Sequence, residues 1–393
     1  MERVKLVLKS GKEKSIKRFH PWIFSGAIKT MSGSPSEGDI VDVFDNQNDF
    51  LASGYYQRGT IAVRILSFNK SDINGSFFRE KLRRAIAYRK EVGITRSAEL
   101  NVFRLIHGEG DSLPGLIIDY YNGVAVMQSH SIGFHKIRHT IAQELADLLG
   151  SELTAVYDKS SSTLPNIPGV DIKDEYLIGD SEPVVVTENR FKFKVDWTTG
   201  QKTGFFIDQR DNRKLLGELS IGKKVLNMFG YTGGFSVFAM QNAQLVHTVD
   251  SSAPAIALTD ENIRLNFGDD KRHCSFRADA FDFLNDINDK YDMIILDPPA
   301  FAKHYNAIEN ALQGYKKLNM KAIRQIKPGG IIFTFSCSQA VSKEEFRKSV
   351  FAAAANTGRN IRIMHQLNQP PDHPVNIYHP EGEYLKGLVI YVD

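Results

Sequence analysis

Lys223-Lys-Val-Leu-Asn-Met-Phe-Gly-Tyr-Thr-Gly-Gly-Phe-Ser-Val-Phe-Ala-Met240, running on to Asp250, is the stretch on which the fold of this chain turns. Val225 to Met228 is a short apolar run, Gly230, Gly233 and Gly234 allow close backbone approach, and Phe235 to Met240 reads as a helix. Gln244 to Val249 supplies a second strand, and Asp250 stands twenty residues after Gly230. A carboxylate at that distance suits ribose hydroxyls in a doubly wound nucleotide site. The glycines run G-x-x-G-G rather than G-x-G-x-x-G, the spacing that a pyrophosphate wants at a helix N-terminus. The expectation is a nucleoside cofactor without phosphates, and a NAD dehydrogenase is disfavoured. A plain tight strand-to-helix turn is the competing reading.

Downstream, from Arg190, strands alternate with helices, which argues a parallel sheet. Asp260 to Phe267 completes a helix, and Cys274-Ser-Phe-Arg-Ala-Asp-Ala280 ends a third strand with Asp279 placed to meet a base. Tyr291-Asp-Met-Ile-Ile-Leu-Asp-Pro-Pro299 is a fourth strand, and Gly329-Gly-Ile-Ile-Phe-Thr-Phe-Ser-Cys-Ser338 a fifth, followed by a capping box in Ser342-Lys-Glu-Glu345. Ile361 to Met364 and Leu385 to Val392 close the sheet, with Pro370 to Pro380 between them. The acids and polar groups stand at carboxyl ends of strands, where open α/β sheets bind ligands.

Upstream, the chain reads differently. Residues 3–8, 39–44, 50–56 and 61–68 alternate like short strands with turns between them, a small all-β unit ending near residue 70. Arg18-Phe-His-Pro-Trp-Ile-Phe-Ser-Gly-Ala27 sets aromatics beside basic residues, which suits base stacking or, equally, the filling of a small β core. His20 to Ala27 resembles the opening of the PUA domain, an RNA-binding β barrel found at the front of one group of RNA methyltransferases. A helix from about Ser76 carries Phe78, Leu82 and Ile86 on one stripe. Residues 104–149 then read as compact mixed α/β structure, in which Glu109, Asp111 and Asp119 are taken as hydrophilic turn residues. Ser160 to Pro168 reads as a surface loop.

The 393 residues, 42% hydrophobic and 24% charged, suit two or three globular domains. No apolar run reaches membrane-spanning length, and the basic N-terminal stretch lacks a signal-peptide core, so a cytoplasmic protein without a membrane is expected. Two cysteines, Cys274 and Cys337, exclude a disulfide framework and a cysteine-rich zinc site, and no metal is expected. Residues 1–30 carry eight Lys/Arg against two Glu, and residues 79–96 seven against two, patches that suit a polyanion such as RNA or simply a solvated face.

Two motifs carry chemistry. Asp297-Pro-Pro299 is a rigid turn that holds one carboxylate at a strand tip, because each proline fixes φ and removes a backbone donor. Class I S-adenosylmethionine methyltransferases of exocyclic amines have an aromatic residue next, where this chain has Ala300. Adenine amino methylation is thereby disfavoured. Cys337, between Ser336 and Ser338, suits methylation of cytosine carbon 5: a thiolate adds at carbon 6, and the resulting enamine attacks the methyl donor. Asp297 is placed to assist at ring N3. The alternative for Cys337 is a buried cysteine at a strand end.

Taken in order, His-Pro-Trp-Ile-Phe-Ser-Gly-Ala, Thr-Gly-Phe-Phe-Ile-Asp-Gln-Arg, Asn-Met-Phe-Gly-Tyr-Thr-Gly-Gly-Phe, Val-Asp-Ser-Ser, Asp-Pro-Pro-Ala-Phe, Gln-Gly-Tyr-Lys and Phe-Ser-Cys-Ser resemble the rRNA large-subunit methyltransferase I family over nearly the whole chain. The resemblance implies an α/β protein. Residues 1–70 would form a PUA-like RNA-binding domain, 71–188 a small central α+β domain, and 189–393 a Rossmann-like class I methyltransferase with a mostly parallel seven-stranded sheet. It implies a homodimer that makes 5-methylcytosine in 23S rRNA with S-adenosyl-L-methionine, releasing S-adenosyl-L-homocysteine. By position it makes Cys337 the nucleophile and Asp297 its carboxylate. Gln209, Arg210, Phe229, Gly230, Tyr231, Thr232, Gly233, Asp250, Ser251, Asp279, Ala280 and Asp297 become the cofactor site, and Arg18, His20, Trp22, Tyr315 and Lys316 face RNA. Ala300 and Gln313 depart from relatives that carry Lys and Arg there. A guanine N7 methyltransferase and an RNA-binding assembly factor that holds the cofactor without turnover are the rival functions.

Overall fold

The computed structural model describes residues 3–165, 171–302 and 307–393, so the end of the expected 160–168 loop, residues 166–168, lies outside the described residues. The chain divides into two compact units. One comprises residues 1–186, 195–205 and 371–382, the other residues 187–194, 206–370 and 383–393.

The first unit holds two sheets. Strands β1 (Val4–Leu8), β2 (Trp22–Phe24), β3 (Ile28–Met31), β4 (Ile40–Phe44), β5 (Phe50–Tyr56) and β6 (Ile61–Ser67) form a six-stranded sheet in the order β2-β6-β5-β4-β1-β3. Alternation sends Leu6, Leu8, Val41 and Val43 inward, all fully buried. Helix α1 (Gly75–Glu91) begins where the Asn74 side chain accepts the Phe77 N–H, and it buries Phe78, Leu82, Ala85 and Arg89. The second sheet, β7 (Val102–His107), β8 (Leu116–Tyr121), β9 (Val124–Ser129), β10 (Ala155–Asp158) and β11 (Glu175–Ile178), runs in the order β11-β10-β9-β8-β7. Helices α2 (Ile132–Lys136) and α3 (Arg138–Leu149) make the crossover between parallel β9 and β10.

One expectation is corrected here. Asp111 and Asp119 are not turn residues facing solvent: Arg89 clamps Asp111 at 2.5 and 2.8 Å, and Arg104 clamps Asp119 at 2.8 Å through two nitrogens. Each carboxylate side chain is buried and answers a guanidinium, fully buried for Arg89 and half-buried for Arg104, in the bidentate geometry that arginine favours. Residues 371–382 do lie between the last two strands, as expected, and fall within the first unit. Asp372 accepts the Arg104 N–H at 3.0 Å, its carbonyl takes Arg89 at 2.8 Å, and a side chain at Gly110 would meet the Pro374 carbonyl.

A hairpin, β12 (Val184–Glu188) and β13 (Phe191–Val195), precedes the last sheet. That sheet contains β14 (Lys224–Met228), β15 (Leu245–Asp250), β16 (His273–Arg277), β17 (Met293–Leu296), β18 (Gly330–Ser336), β19 (Ile361–Leu367) and β20 (Lys386–Val392), in the order β16-β15-β14-β17-β18-β20-β19. The first five are mutually parallel, and β20 runs antiparallel to both its neighbours. The helices are α4 (Arg210–Leu219), α5 (Gly234–Met240), α6 (Ala253–Phe267), α7 (Ala280–Phe283), α8 (Ile308–Gln325) and α9 (Lys343–Ala355). Every residue of β17 and β18 is buried, as continuous apolar strands covered on both faces should be. Helices α8 and α9 cover one face through Leu318, Ile323, Phe346 and Val350. The capping box at the start of α9 is present, with Ser342 and Glu345 each bonding the other's backbone N–H. Strand order reverses between β14 and β17, and the carboxyl ends at such a switch point are where open α/β sheets bind ligands.

Candidate active site

The loop after β14 is pinned from two sides. Gly230 N–H donates to the Val249 carbonyl at 3.0 Å, and Tyr231 N–H donates to Asp250 Oδ2 at 3.0 Å. The other Asp250 oxygen accepts the Ser252 N–H at 2.9 Å, so both oxygens are oriented by backbone while each keeps lone-pair capacity. From α6, Thr259 donates to the Tyr231 carbonyl and Asn262 to the Thr232 carbonyl, both at 2.8 Å. Phe229 and Tyr231 take positive φ values of 59° and 46°, uncommon for large side chains and a mark of strain held by surrounding structure. Gly233, at φ 76°, caps α5. Close packing leaves no room at Gly230, where a Cβ would lie 2.2 Å from Thr248 Cγ2.

Beneath the helix, buried Arg213 pairs with buried Glu188 through two 2.8 Å bonds and donates to the Phe206 carbonyl at 2.8 Å. Its Cδ stands 3.1 Å from where a Cβ on Gly234 would be. The Phe206 ring packs 5.0 Å from that of Tyr231. Sequence reasoning missed Glu188, Arg213, Thr259 and Asn262. Only the last two left a signal, polar residues three apart on one face of a helix.

The next tips bring the chemistry together. Gln209 Nε2 donates to Asp297 Oδ2 at 3.1 Å, and Asn212 holds the Gln209 oxygen at 2.6 Å. The Cys337 Sγ lies 3.9 Å from the Pro298 carbonyl and donates to it, so the thiol sits against the Asp-Pro-Pro turn. This follows from parallel pairing of β17 with β18, where Leu296 stands beside Thr334 and both strands end toward the same edge. Arg210 is buried, with Asp211 at 3.6 Å. Ser251 is exposed and its carbonyl accepts from Arg277 at 3.3 Å. Asp279 caps α7, accepting the Phe281 and Asp282 N–H groups at 2.8 and 3.1 Å through one oxygen, and Ala280 is buried behind it. Cys274 is exposed on edge strand β16.

The expected RNA-facing residues divide. Tyr315 is fully buried: its hydroxyl meets Ser336 and Ser338 at 3.0 and 2.9 Å, and its ring packs 4.7 Å from Phe301, so it is a core residue that holds the Ser-Cys-Ser turn. The next residue, Lys316, is half-buried. In the first unit, Arg18 is exposed, whereas the Trp22 indole donates to Glu109 at 2.8 Å and packs 4.3 Å from the His379 ring, with His20 alongside. The open aromatic surface there belongs to Phe19 and Phe24, each about half exposed.

A nucleoside cofactor fits these residues: an oriented carboxylate at Asp250, a glycine loop held open, and the Asp279 tip. Among the described residues, no cluster of His, Cys, Asp or Glu could hold a metal ion, and no helix is long and apolar enough to cross a membrane.

A model of the PUA-like domain matches residues 6–68, and one of the S-adenosylmethionine-dependent methyltransferases matches residues 103–387. Ribosomal RNA large subunit methyltransferase I of Alteromonas mediterranea is 39% identical over 394 residues, covering 98% of both chains. The protein of the same name from Klebsiella pneumoniae is 37% identical over 396 residues, covering 99% of this chain and 98% of its own. A candidate SAM-dependent methyltransferase structure from Streptococcus mutans superposes with a TM-score of 0.85 at 24% identity, covering 99% of this chain and all of its own, and bears on the fold alone. A methyltransferase structure complexed with SAH superposes with a TM-score of 0.86, also at 24% identity. The chain belongs to the rRNA large-subunit methyltransferase I family, within the S-adenosylmethionine-dependent methyltransferases.

Proposed function

We propose that this protein methylates carbon 5 of a cytosine in 23S rRNA, with Cys337 as nucleophile and Asp297 assisting. The observation that carries this reading is the 3.9 Å approach of the Cys337 thiol to the Pro298 carbonyl, beside the tip that bears Asp297. The names of the relatives, ribosomal RNA large subunit methyltransferases, support the substrate class.

The cofactor-binding residues in this reading are Phe229 to Gly233, Asp250, Ser251, Asp279 and Ala280, with Gln209 and Arg210 alongside. S-adenosylmethionine supplies an electrophilic methyl group there. The Cys337 thiolate forms a bond to cytosine C6, and the electrons of the C5–C6 double bond move onto C5, which becomes the nucleophile. Asp297, oriented by Gln209, hydrogen-bonds at ring N3 as charge develops. When C5 has gained its methyl group, a base takes the C5 proton. The double bond re-forms and the sulfur–C6 bond breaks, which returns the thiolate. Arg18 in the first unit, beside His20 and Trp22, contacts RNA, and so does Lys316 in the second. A cytoplasmic homodimer completes the reading, and sedimentation of the full chain would test the dimer.

Methyl transfer to unmodified 23S rRNA, with the product base mapped by bisulfite sequencing, tests the reaction. Wild type should yield 5-methylcytosine and Cys337→Ala none, while both bind S-adenosylmethionine alike in calorimetry. Equal transfer by the two proteins removes Cys337 from the mechanism.

A further inference from the structure

Lys386 is the first residue of β20 and stands opposite Ser336 in the antiparallel pair with β18. Only 3% of it is exposed. Its Nζ donates to the carbonyls of Ser338 at 2.5 Å and Val341 at 2.7 Å, which form the turn directly after Cys337. Among the described residues no carboxylate lies within ion-pair distance of this ammonium. Lysine is rarely buried without a counter-charge, because two neutral carbonyls do not replace the hydration of a full charge. The groups that act on it electrostatically are Cys337, which favours its charge, Lys343, which opposes it, and Glu345, which favours it weakly. Glu345 is already engaged, with one oxygen accepting from the Ser342 N–H and hydroxyl. Of the two groups that favour the charge, the Cys337 sulfur has the larger influence and lies one residue before the Ser338 carbonyl that Lys386 holds. Cys337 in turn lies against the Pro298 carbonyl and near the buried Tyr315 phenol, neither of which supplies a positive charge to favour its ionisation.

We propose that Lys386 is a positioning residue for the nucleophile: its buried ammonium holds the Ser338–Val341 turn and stabilises the Cys337 thiolate. The inference rests on the role of Cys337 given above, but it concerns the state of the thiol before any RNA binds. Burial leaves the Lys386 pKa lowered to about 8, with Cys337 the largest influence in the opposite direction. Such coupling is mutual, so the ammonium must lower the thiol's pKa as the thiolate raises the ammonium's.

The test uses the full chain carrying Cys274→Ser, so that Cys337 is the remaining thiol, and follows the pH dependence of its alkylation by iodoacetamide. The parent midpoint should fall below the ordinary thiol value of about 8.5. Lys386→Met and Lys386→Gln should each raise it by about one unit or more, and Lys386→Arg should restore it, for one buried charge held on the turn that follows the thiol. A parent midpoint at or above the ordinary value overturns the proposal without any variant. An unchanged midpoint in either neutral variant that retains the parent's circular dichroism also overturns it. Methyl transfer is not the readout. A low midpoint that depends on Lys386, in a protein whose transfer survives Cys337→Ala, would uphold this proposal and refute the proposed reaction.

Discussion

Gly230→Ala adds a single methyl group at the most crowded glycine of the loop after β14, where the proposed function places the cofactor. Its Cβ would lie 2.2 Å from Thr248 Cγ2. Apolar carbons rest at about 3.5–4.0 Å, so one of the two must retreat by more than an ångström. Thr248 cannot turn away cheaply: it is fully buried on β15, and its hydroxyl meets Ser236 at 2.6 Å and the His273 ring at 2.9 Å. A β-branched side chain that changed rotamer there would forfeit both bonds. The loop can move instead, at the expense of the Gly230–Val249 and Tyr231–Asp250 hydrogen bonds that orient Asp250. Overpacking of this kind costs about 1–3 kcal/mol. Where that strain is relieved by displacing the loop, S-adenosylmethionine affinity should fall roughly fivefold to a hundredfold, at about 1.4 kcal/mol per factor of ten. Urea unfolding and calorimetric titration of the cofactor measure the two parts. Thr248→Ser removes the offending methyl and keeps the hydroxyl, so Gly230→Ala/Thr248→Ser should recover most of both losses, with a favourable coupling energy in the double-mutant cycle. If Gly230→Ala matches wild type in stability and affinity, or if the cycle shows no coupling, the packing argument is wrong.

Two further perturbations probe the frame of the site and of the first unit. Glu188→Ala leaves the Arg213 guanidinium buried without its partner and should lower unfolding stability by about 3–5 kcal/mol, whereas Glu188→Leu/Arg213→Met, which removes both charges, should lose much less; similar losses in the two proteins would count against the ion pair. Burial raises the Asp158 carboxyl to about 6, with Arg138 and the His135 ring 3.6 and 3.7 Å from its second oxygen. Its folded pKa exceeds the ordinary value of about 3.9, so its contribution is intact below about pH 4 and is lost as pH rises toward 6. Asp158→Asn should therefore gain on wild type across that window, by up to about 3 kcal/mol at neutral pH, and parallel stability curves for the two proteins from pH 4 to 7 would refute the assignment.

Much of the catalytic unit was legible in the chain because its signals are local. The apolar runs of β14, β17 and β18 end in Gly230, Asp297 and Cys337, and alternation with helices forces those strands to be parallel, which sends their ends to one edge of the sheet. The capping box of α9 and the stripe of α1 are equally local, fixed by spacings of three and four residues. What periodicity could not reveal is which distant group answers a buried charge. Asp111 and Asp119 read as turn residues until Arg89 and Arg104 are seen to clamp them, and Tyr315 read as a surface aromatic until its hydroxyl is found between Ser336 and Ser338. Glu188 and Arg213 are 25 residues apart, and Cys337 and Lys386 are separated by a helix and a whole strand. A charge taken out of water needs a partner in space rather than in sequence, and only the closed sheet, with β20 turned back along β18, decides which lysine lies behind the Cys337 turn.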